Sequence, residues 1–331
     1  MKKHFKKGLS ILLIMSLTLL LVACGTTEDT SSSGGSDSVV TEEGNTTIAF
    51  VTKSMSDQFF IDVKDGAEAH AKELGINLTY MAPEGGQSDI EGEVQLLEDS
   101  IIQKVDAIII DVSDSAAFNT SIKKANDAGI PIILFNDVVD EKDLETNGGH
   151  IDSFVGMDSA DAAAQVAEYC VKTSEVGKVA ILEGQSGTTA SEDRANGFKG
   201  IVEEAGFEVV TSQPANWDKN EAYNVTQNIL TSNPDIKVIF AASSLMGIGA
   251  IQAIEDMGLS GQIDVYDFDC EADDIAAIKT GTLKATLQYP SKEWASLAVD
   301  TAMSLIKGEN VDKEVYTEVK VVTKDNVGSI E

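Results

Sequence analysis

Two polar side chains, Asn136 and Asp137, end the apolar run "IPIILF" (130–135), and Asp269 ends the similar run "IDVYDF" (263–268). An amide and two carboxylates placed where apolar strands stop can exchange hydrogen bonds with a small polar molecule. In an open parallel sheet the carboxyl ends of the strands line the crevice where ligands lie. The same residue types also cap or turn a chain, but their repetition at Asp269 favours ligand contact. Catalytic chemistry has little to stand on. The histidines are His4, His70 and His150, with no spacing that makes a metal site, so neither metal nor cofactor is expected. "GQSG" (184–187) lacks the nucleophile-elbow pattern and a partner base. "GIGAIQ" (247–252) falls in a helical stretch, where helix packing explains its glycines better than a nucleotide loop does.

Periodicity indicates what must position these side chains. "TIAFVTK" (47–53) precedes an amphipathic stretch with Phe60, Val63, Ala67 and Ala71 on one face, closed by Gly75. A strand over 76–81, a helix over 89–104, a strand over 106–111, a helix over 115–128 and a strand over 131–135 follow. That alternation is the pattern of a parallel sheet with helices on its faces. After residue 151 the series restarts, with strands near 153–157, 178–183, 207–211, 237–242 and 263–268. The restart is a partial copy. "HAKELGINLTY" (70–80) aligns with "IVEEAGFEVVT" (201–211), and "KKANDAGIPIILFND" (123–137) with "QAIEDMGLSGQIDVYDFD" (252–269). A duplicated α/β plan over this length reads as two similar lobes, with Asn136 and Asp269 at corresponding strand ends.

The 331 residues suffice for two cores. A net charge of −31, from 24 Lys plus Arg against 55 Asp plus Glu, speaks against a nucleic-acid partner, since a polyanion is held through Lys and Arg. It also favours a monomer. Residues 1–23 read as an export signal: Lys2, Lys3, Lys6 and Lys7 precede the apolar run Leu9–Val22 and a small-residue ending. The alternatives are an ordinary signal peptide or a membrane anchor, either with an incidental cysteine at its end, and for an anchor the run is short. Residues 24–45, rich in Ser, Thr, Gly and acid, lack apolar period and read as a flexible tether. Cys170 and Cys270 could join in an oxidising compartment, but two cysteines make no disulfide framework and two unpaired core thiols are favoured.

"IAFVTKSMSDQFFIDVKDGAEAHAKELG" (48–75), "AIIIDVSDSAAFNTSIKKANDAGIPIILFND" (107–137), "SQPANWDKNEAYNVTQNILTSNPDIKVIFA" (212–241) and "LKATLQYP" (283–290) together resemble the type I periplasmic binding proteins of sugar ABC transporters, the ribose and galactose group. The likeness runs from about Thr47 to Val322. It implies two doubly wound parallel-sheet lobes joined by three crossings, a ligand shut between them by hinge closure, and delivery to a membrane permease. The lobes are then expected at 46–150 with about 290–314, and at 151–289 with about 315–331. Leu21-Val22-Ala23-Cys24 resembles a bacterial lipobox, implying a lipid on Cys24 and an extracytoplasmic, membrane-anchored location.

Carried over residue by residue, the resemblance places Asp57, Phe59 and Phe60 in the first ligand loop and Trp217 at the opposing ring position, where aromatic faces would sandwich a sugar. A partly buried core tryptophan is the alternative for Trp217. Asn136 matches a strand-end amide, Asp269 the second-lobe carboxylate, and Arg194 falls near a family arginine. There are departures. Lys53 resembles the autoinducer-binding relatives; Asp137 and Glu192 stand where ribose-type proteins carry arginines; Ser243 and Ser244 replace an Asn-Asp pair; Tyr289 replaces a hinge amide. Asp137 and Glu192 either meet the ligand, point to solvent, or pair with Lys53 or Arg194. A monosaccharide or small polyol is the expected ligand. An amino sugar, an autoinducer or a nucleoside-like molecule remains open, as does docking on a chemoreceptor or sensor kinase in place of a permease. No enzymatic activity is expected.

Overall fold

The structure, a computed structural model, describes residues 46–330; the export signal, Cys24 and the whole tether lie outside the described residues. In chain order the elements are β1 (Thr47–Val51), α1 (Gln58–Leu74), β2 (Asn77–Met81), α2 (Ile90–Gln103), β3 (Ala107–Ile110), α3 (Asn119–Asp127), β4 (Ile132–Phe135), α4 (Glu141–Thr146) and β5 (Ser153–Gly156). Then come α5 (Ser159–Thr173), β6 (Lys178–Glu183), α6 (Thr189–Glu204), β7 (Glu208–Pro214), α7 (Lys219–Ser232), β8 (Ile236–Ala241), α8 (Ser244–Asp256), β9 (Asp264–Tyr266), α9 (Ala272–Thr280) and β10 (Ala285–Gln288). The chain ends with α10 (Ser291–Ile306), β11 (Glu314–Tyr316) and β12 (Lys320–Thr323).

These strands form two six-stranded sheets, β11-β5-β4-β3-β1-β2 and β12-β10-β9-β8-β6-β7. All pairings in the first are parallel, and in the second only β10 with β12 is antiparallel. The order is the same in both, position for position, so β4 corresponds to β9 and the residues after them, Asn136 and Asp269, occupy equivalent strand ends. Both adopt a positive φ, 59° and 88°, a conformation that non-glycine residues enter rarely and Asn and Asp most readily. The central strands are buried on both faces, β3 and β4 at every residue, which explains why they read as unbroken apolar runs instead of alternating ones.

One boundary differs from the sequence reading. Ser153–Gly156, placed there at the start of the second lobe, is the fifth strand of the first sheet, paired in parallel with β4 and β11. The chain therefore passes to the second lobe after Gly156, returns between β10 and α10, and passes again between β11 and β12. The apparent restart at 151 reflects a strand that completes one sheet immediately before a helix belonging to the other lobe. The helices that follow the first and second crossings, α5 and α10, pack on α6 and α1.

That packing has a shared device. The ninth residue of α1 is Gly66 and the ninth of α6 is Gly197. A Cβ at Gly66 would lie 2.5 Å from the Lys292 carbonyl oxygen on α10, and one at Gly197 2.2 Å from the Ala160 carbonyl oxygen on α5. Each glycine lets a neighbouring helix approach to backbone contact. The glycines of 247–252 also serve packing: a Cβ at Gly247 would strike the Asp267 carboxylate and one at Gly249 the Lys219 carbonyl. Overpacking of this kind costs roughly 1–3 kcal/mol. Gly66→Ala and Gly197→Ala should each lower the unfolding free energy by an amount in that range, seen as a lower denaturant midpoint at unchanged slope; unchanged midpoints would show that the helix pairs yield freely.

Candidate functional site

The carboxyl ends of the two sheets face each other across one cavity that is lined from both lobes and open to solvent at its mouth. The first lobe contributes Lys53 after β1, Asp57, Phe59 and Phe60 around the start of α1, and Asn136 and Asp137 after β4. The second contributes Arg194 on α6, Trp217 after β7, Ser243 after β8 and Asp269 after β9, while Tyr289 comes from the crossing between β10 and α10. Glu192 is not among them and is exposed. On α6 the cavity positions are Ala190 and Arg194, four residues apart on one face, and residue 192 is turned about 200° from either. The sequence reading missed Gln87, Ala190, Leu245 and Glu271, which also line the cavity. Glu271 sits two residues past Asp269 and was open to inference; no local pattern marks Gln87 or Leu245.

Behind the first-lobe wall lies a buried ionic cluster. Lys53 is 2% exposed, and its ammonium pairs with Asp111 at 3.1 Å and, in close contact, with Asp137. Of the alternatives weighed for Asp137, pairing with Lys53 is the one observed. Asp111 ends β3 as Asn136 ends β4, and the run "AIIID" (107–111) carries the same signal as "IPIILFND", so it too was legible. The strand order β4-β3-β1 brings the three ends side by side. Burial would lower the lysine pKa, but Asp111 and Asp137 outweigh it and hold Lys53 charged. Burial raises Asp111 to about 7, Lys53 opposing and Asp137 assisting. Glu93 on α2, fully buried and accepting the Ser113 hydroxyl, is pushed by burial up to about 9.

The second-lobe wall is organised around Asp269. Its Oδ1 accepts the Tyr289 hydroxyl at 2.7 Å and the Arg194 Nη1 at 3.4 Å; its Oδ2 accepts the Ser244 backbone N–H at 3.0 Å, at the N-terminus of α8. A carboxylate is well placed there, since helix N-termini present free N–H groups and a positive partial charge. Arg194 also donates from Nη1 to the Ala242 carbonyl at 2.8 Å and lies over the Phe268 ring, 4.5 Å from its centroid. Its buried Nε has no partner among the described residues. Ser243 doubles as the cap of α8. Tyr289 is held protonated by burial and by the neighbouring Asp269 charge. Burial, with Asp269, Asp274 and Asp57 nearby, raises Glu271 to about 8.

Aromatic side chains complete both walls. Phe59 packs edge-on against Phe60, Tyr289 and Trp294, and Tyr289 stacks on Trp294 with centroids 4.7 Å apart. On the opposite side Trp217 has a φ of 60°, following Asn216 at 53°. Its indole lies over Gly184, where a Cβ would come within 1.9 Å of the ring. The indole is half-buried: it packs against the core of the second lobe and also lines the cavity. Cys170 and Cys270 are both free thiols.

A cleft of this construction, closed by two lobes and lined with polar strand ends and rings, defines a two-lobe ligand-binding protein. Comparison with known sequences gives the family: residues 48–310 match the periplasmic binding protein domain. The ribose import binding protein of Escherichia coli is 32% identical over 279 residues, 84% of this chain and 90% of that protein. The ribose import binding protein of Bacillus subtilis is 31% identical over 323 residues, 96% and 99% of the two chains. Among solved structures, an ABC transporter periplasmic solute binding protein from Actinobacillus succinogenes with bound D-allose superposes with a TM-score of 0.81 at 36% identity, covering 86% of this chain and all of that one. The chain belongs to the type I periplasmic binding proteins, in the ribose/galactose group, and is a binding protein, not an enzyme.

The buried acids give a pH dependence. Glu93, Asp111 and Glu271 keep protons in the folded state that the unfolded chain releases near the ordinary carboxylate pKa. The folded form therefore binds more protons between about pH 5 and 9, and its stability falls as pH rises through that window. Unfolding midpoints measured from pH 5 to pH 9 should decline, and Glu93→Gln should flatten the decline. A midpoint that climbs with pH would contradict this.

Proposed function

We propose that this chain is the extracytoplasmic substrate-binding component of an ABC importer, a monomer that takes a neutral monosaccharide or small polyol between its lobes by hinge closure and presents it to a permease. The observation that carries the reading is the meeting, in one cavity, of polar strand ends from both sheets with Phe59 on one wall and Trp217 on the other. Relatives named for ribose import and a similar structure holding D-allose support a sugar. The charge pattern fits a neutral one. Lys53 is paired with two carboxyl groups, so it offers no unpaired positive charge, and it retains one N–H for a ligand oxygen, an ammonium having three to give. Asn136, Arg194 and Asp269 would bond hydroxyls, Asp57 with its partner Gln87 would bond others from the mouth, and the two rings would cover the C–H faces of the sugar.

A second reading has its own support. Asp57 and Glu271 face the cavity without a basic partner among the described residues, and their proximity contributes to raising Glu271. An amino sugar would place its ammonium there. The autoinducer and nucleoside-like alternatives rest on Lys53, whose pairing already satisfies most of its charge. A chemoreceptor or sensor-kinase partner would use the same ligand site. Residues 1–23 would direct export and Cys24 would carry the lipid, with 24–45 as tether, anchoring the folded body to the outer face of the cell membrane.

Titration calorimetry of the full chain against pentoses, hexoses, amino sugars and polyols tests the ligand class, with at least one neutral sugar expected to bind and failure of all neutral sugars refuting that class. Trp217→Ala should then weaken binding of that sugar by about 2 kcal/mol, some thirtyfold, as loss of a buried ring anchor does; unchanged affinity would remove Trp217 from the contact set. Cys24→Ala should move the protein from the membrane fraction to the soluble extracytoplasmic fraction. Retention in the membrane would contradict the lipid anchor.

A further inference from the structure

Asp137 lines the cavity, yet its carboxylate is fully engaged. It is 1% exposed. Oδ2 is taken by the Lys53 ammonium and approached by the Asn136 amide at 3.4 Å. Oδ1 accepts the Ala190 backbone N–H at 2.6 Å and the Thr189 hydroxyl at 2.9 Å. Both latter donors belong to the first turn of α6, on the other lobe. Four acceptor positions meet four donors, and none remains for a ligand.

The second lobe shows the complementary deficiency. Thr188 stands at the N-cap of α6, where a threonine hydroxyl ordinarily accepts a first-turn N–H. It makes no such bond; its hydroxyl donates backward to the Gln185 carbonyl at 2.9 Å. The first turn of α6 is thus capped from the opposite lobe, by a carboxylate set against the positive end of a sixteen-residue helix. Neighbouring bonds cross between the lobes in the opposite sense: the Val138 N–H donates to the Thr189 hydroxyl at 3.0 Å, and the Ser115 N–H to the Gly187 carbonyl at 3.0 Å.

We propose that Asp137 is a lobe-locking residue and not a ligand contact: it ties the Lys53 ammonium of the first lobe to the uncapped N-terminus of α6 on the second, so that the closed form is favoured before any ligand arrives. Parting the lobes strips the cap from α6 and opens the Lys53 pair to water, whereas closing restores both. The ligand then adds its contacts to an equilibrium already displaced toward closure. The inference requires that the lobes separate, but not that the ligand be a sugar.

The test uses the full chain without added ligand, unfolded and refolded to remove anything carried through purification. Wild type, Asp137→Ala and Thr189→Val are compared by small-angle scattering and by hydrogen exchange of the peptide spanning 188–193. Both variants should show a larger radius of gyration and at least tenfold faster exchange at the start of α6. Thr189→Val leaves the Lys53 pairs intact, so it reports on the lock even if Asp137→Ala folds poorly. An unchanged radius in Thr189→Val and in folded Asp137→Ala overturns the proposal, as does faster exchange without expansion, which would make Asp137 a cap and nothing more. Failure of the sugar reading would appear separately, as an absence of binding in every variant.

Discussion

An ammonium group buried at the end of β1 sets the terms for the whole cleft. Removing such a charge from water costs several kcal/mol unless partners compensate, and the chain supplies them from the next two strand ends, Asp111 on β3 and Asp137 on β4. The three side chains meet because a parallel sheet in the order β4-β3-β1 aligns its carboxyl ends. The cluster leaves Lys53 able to give a hydrogen bond without offering an unpaired positive charge. It also fixes the direction of the Asp137 carboxylate, which is why its other oxygen reaches the start of α6. One electrostatic requirement in the first lobe thereby governs both what the cavity can hold and how the second lobe meets it.

The duplicated plan explains how two walls of such different chemistry arise on one scaffold. The strand order repeats, Gly66 and Gly197 repeat, and Asn136 and Asp269 repeat with their positive φ. The charges do not repeat. The first lobe places a cation between carboxylates, while the second seats a carboxylate on its own helix N-terminus with Tyr289 and Arg194 beside it. Tyr289 also stacks on Trp294, which bonds Thr317 at the last crossing. The aromatic floor of the cavity is thus continuous with the segments on which the lobes would turn.

Much of this was legible in the sequence, for identifiable reasons. Buried parallel strands announce themselves as unbroken apolar runs, so β1, β3, β4 and β8 were placed closely, and the polar residues after β4 and β9 marked the cavity, while Asp111 after β3 carried the same signal and was passed over. The boundary at 151 was misread because β5 completes one sheet and leads at once into a helix of the other lobe, and pairing with β11, far along the chain, leaves no local trace. β10, β11 and β12, three or four residues each, are too short to show a period. Glu192 was misplaced because a resemblance aligns positions along a helix but does not show which face each presents. The lock escaped notice because it depends on what Thr188 fails to do, and only three-dimensional placement reveals a cap supplied from elsewhere.

The account stands on a small hydroxyl-bearing molecule lying between Phe59 and Trp217 with its polar groups on strand ends from both sheets. A crystal structure of the protein with the tightest-binding sugar found in solution examines this directly. The expected result is a ring between those two aromatic side chains, hydroxyls on Asn136, Arg194 and Asp269, an oxygen on Lys53, and no contact to either Asp137 oxygen. A ligand seated elsewhere, or one bonded to the Asp137 carboxylate with α6 uncapped, would contradict it.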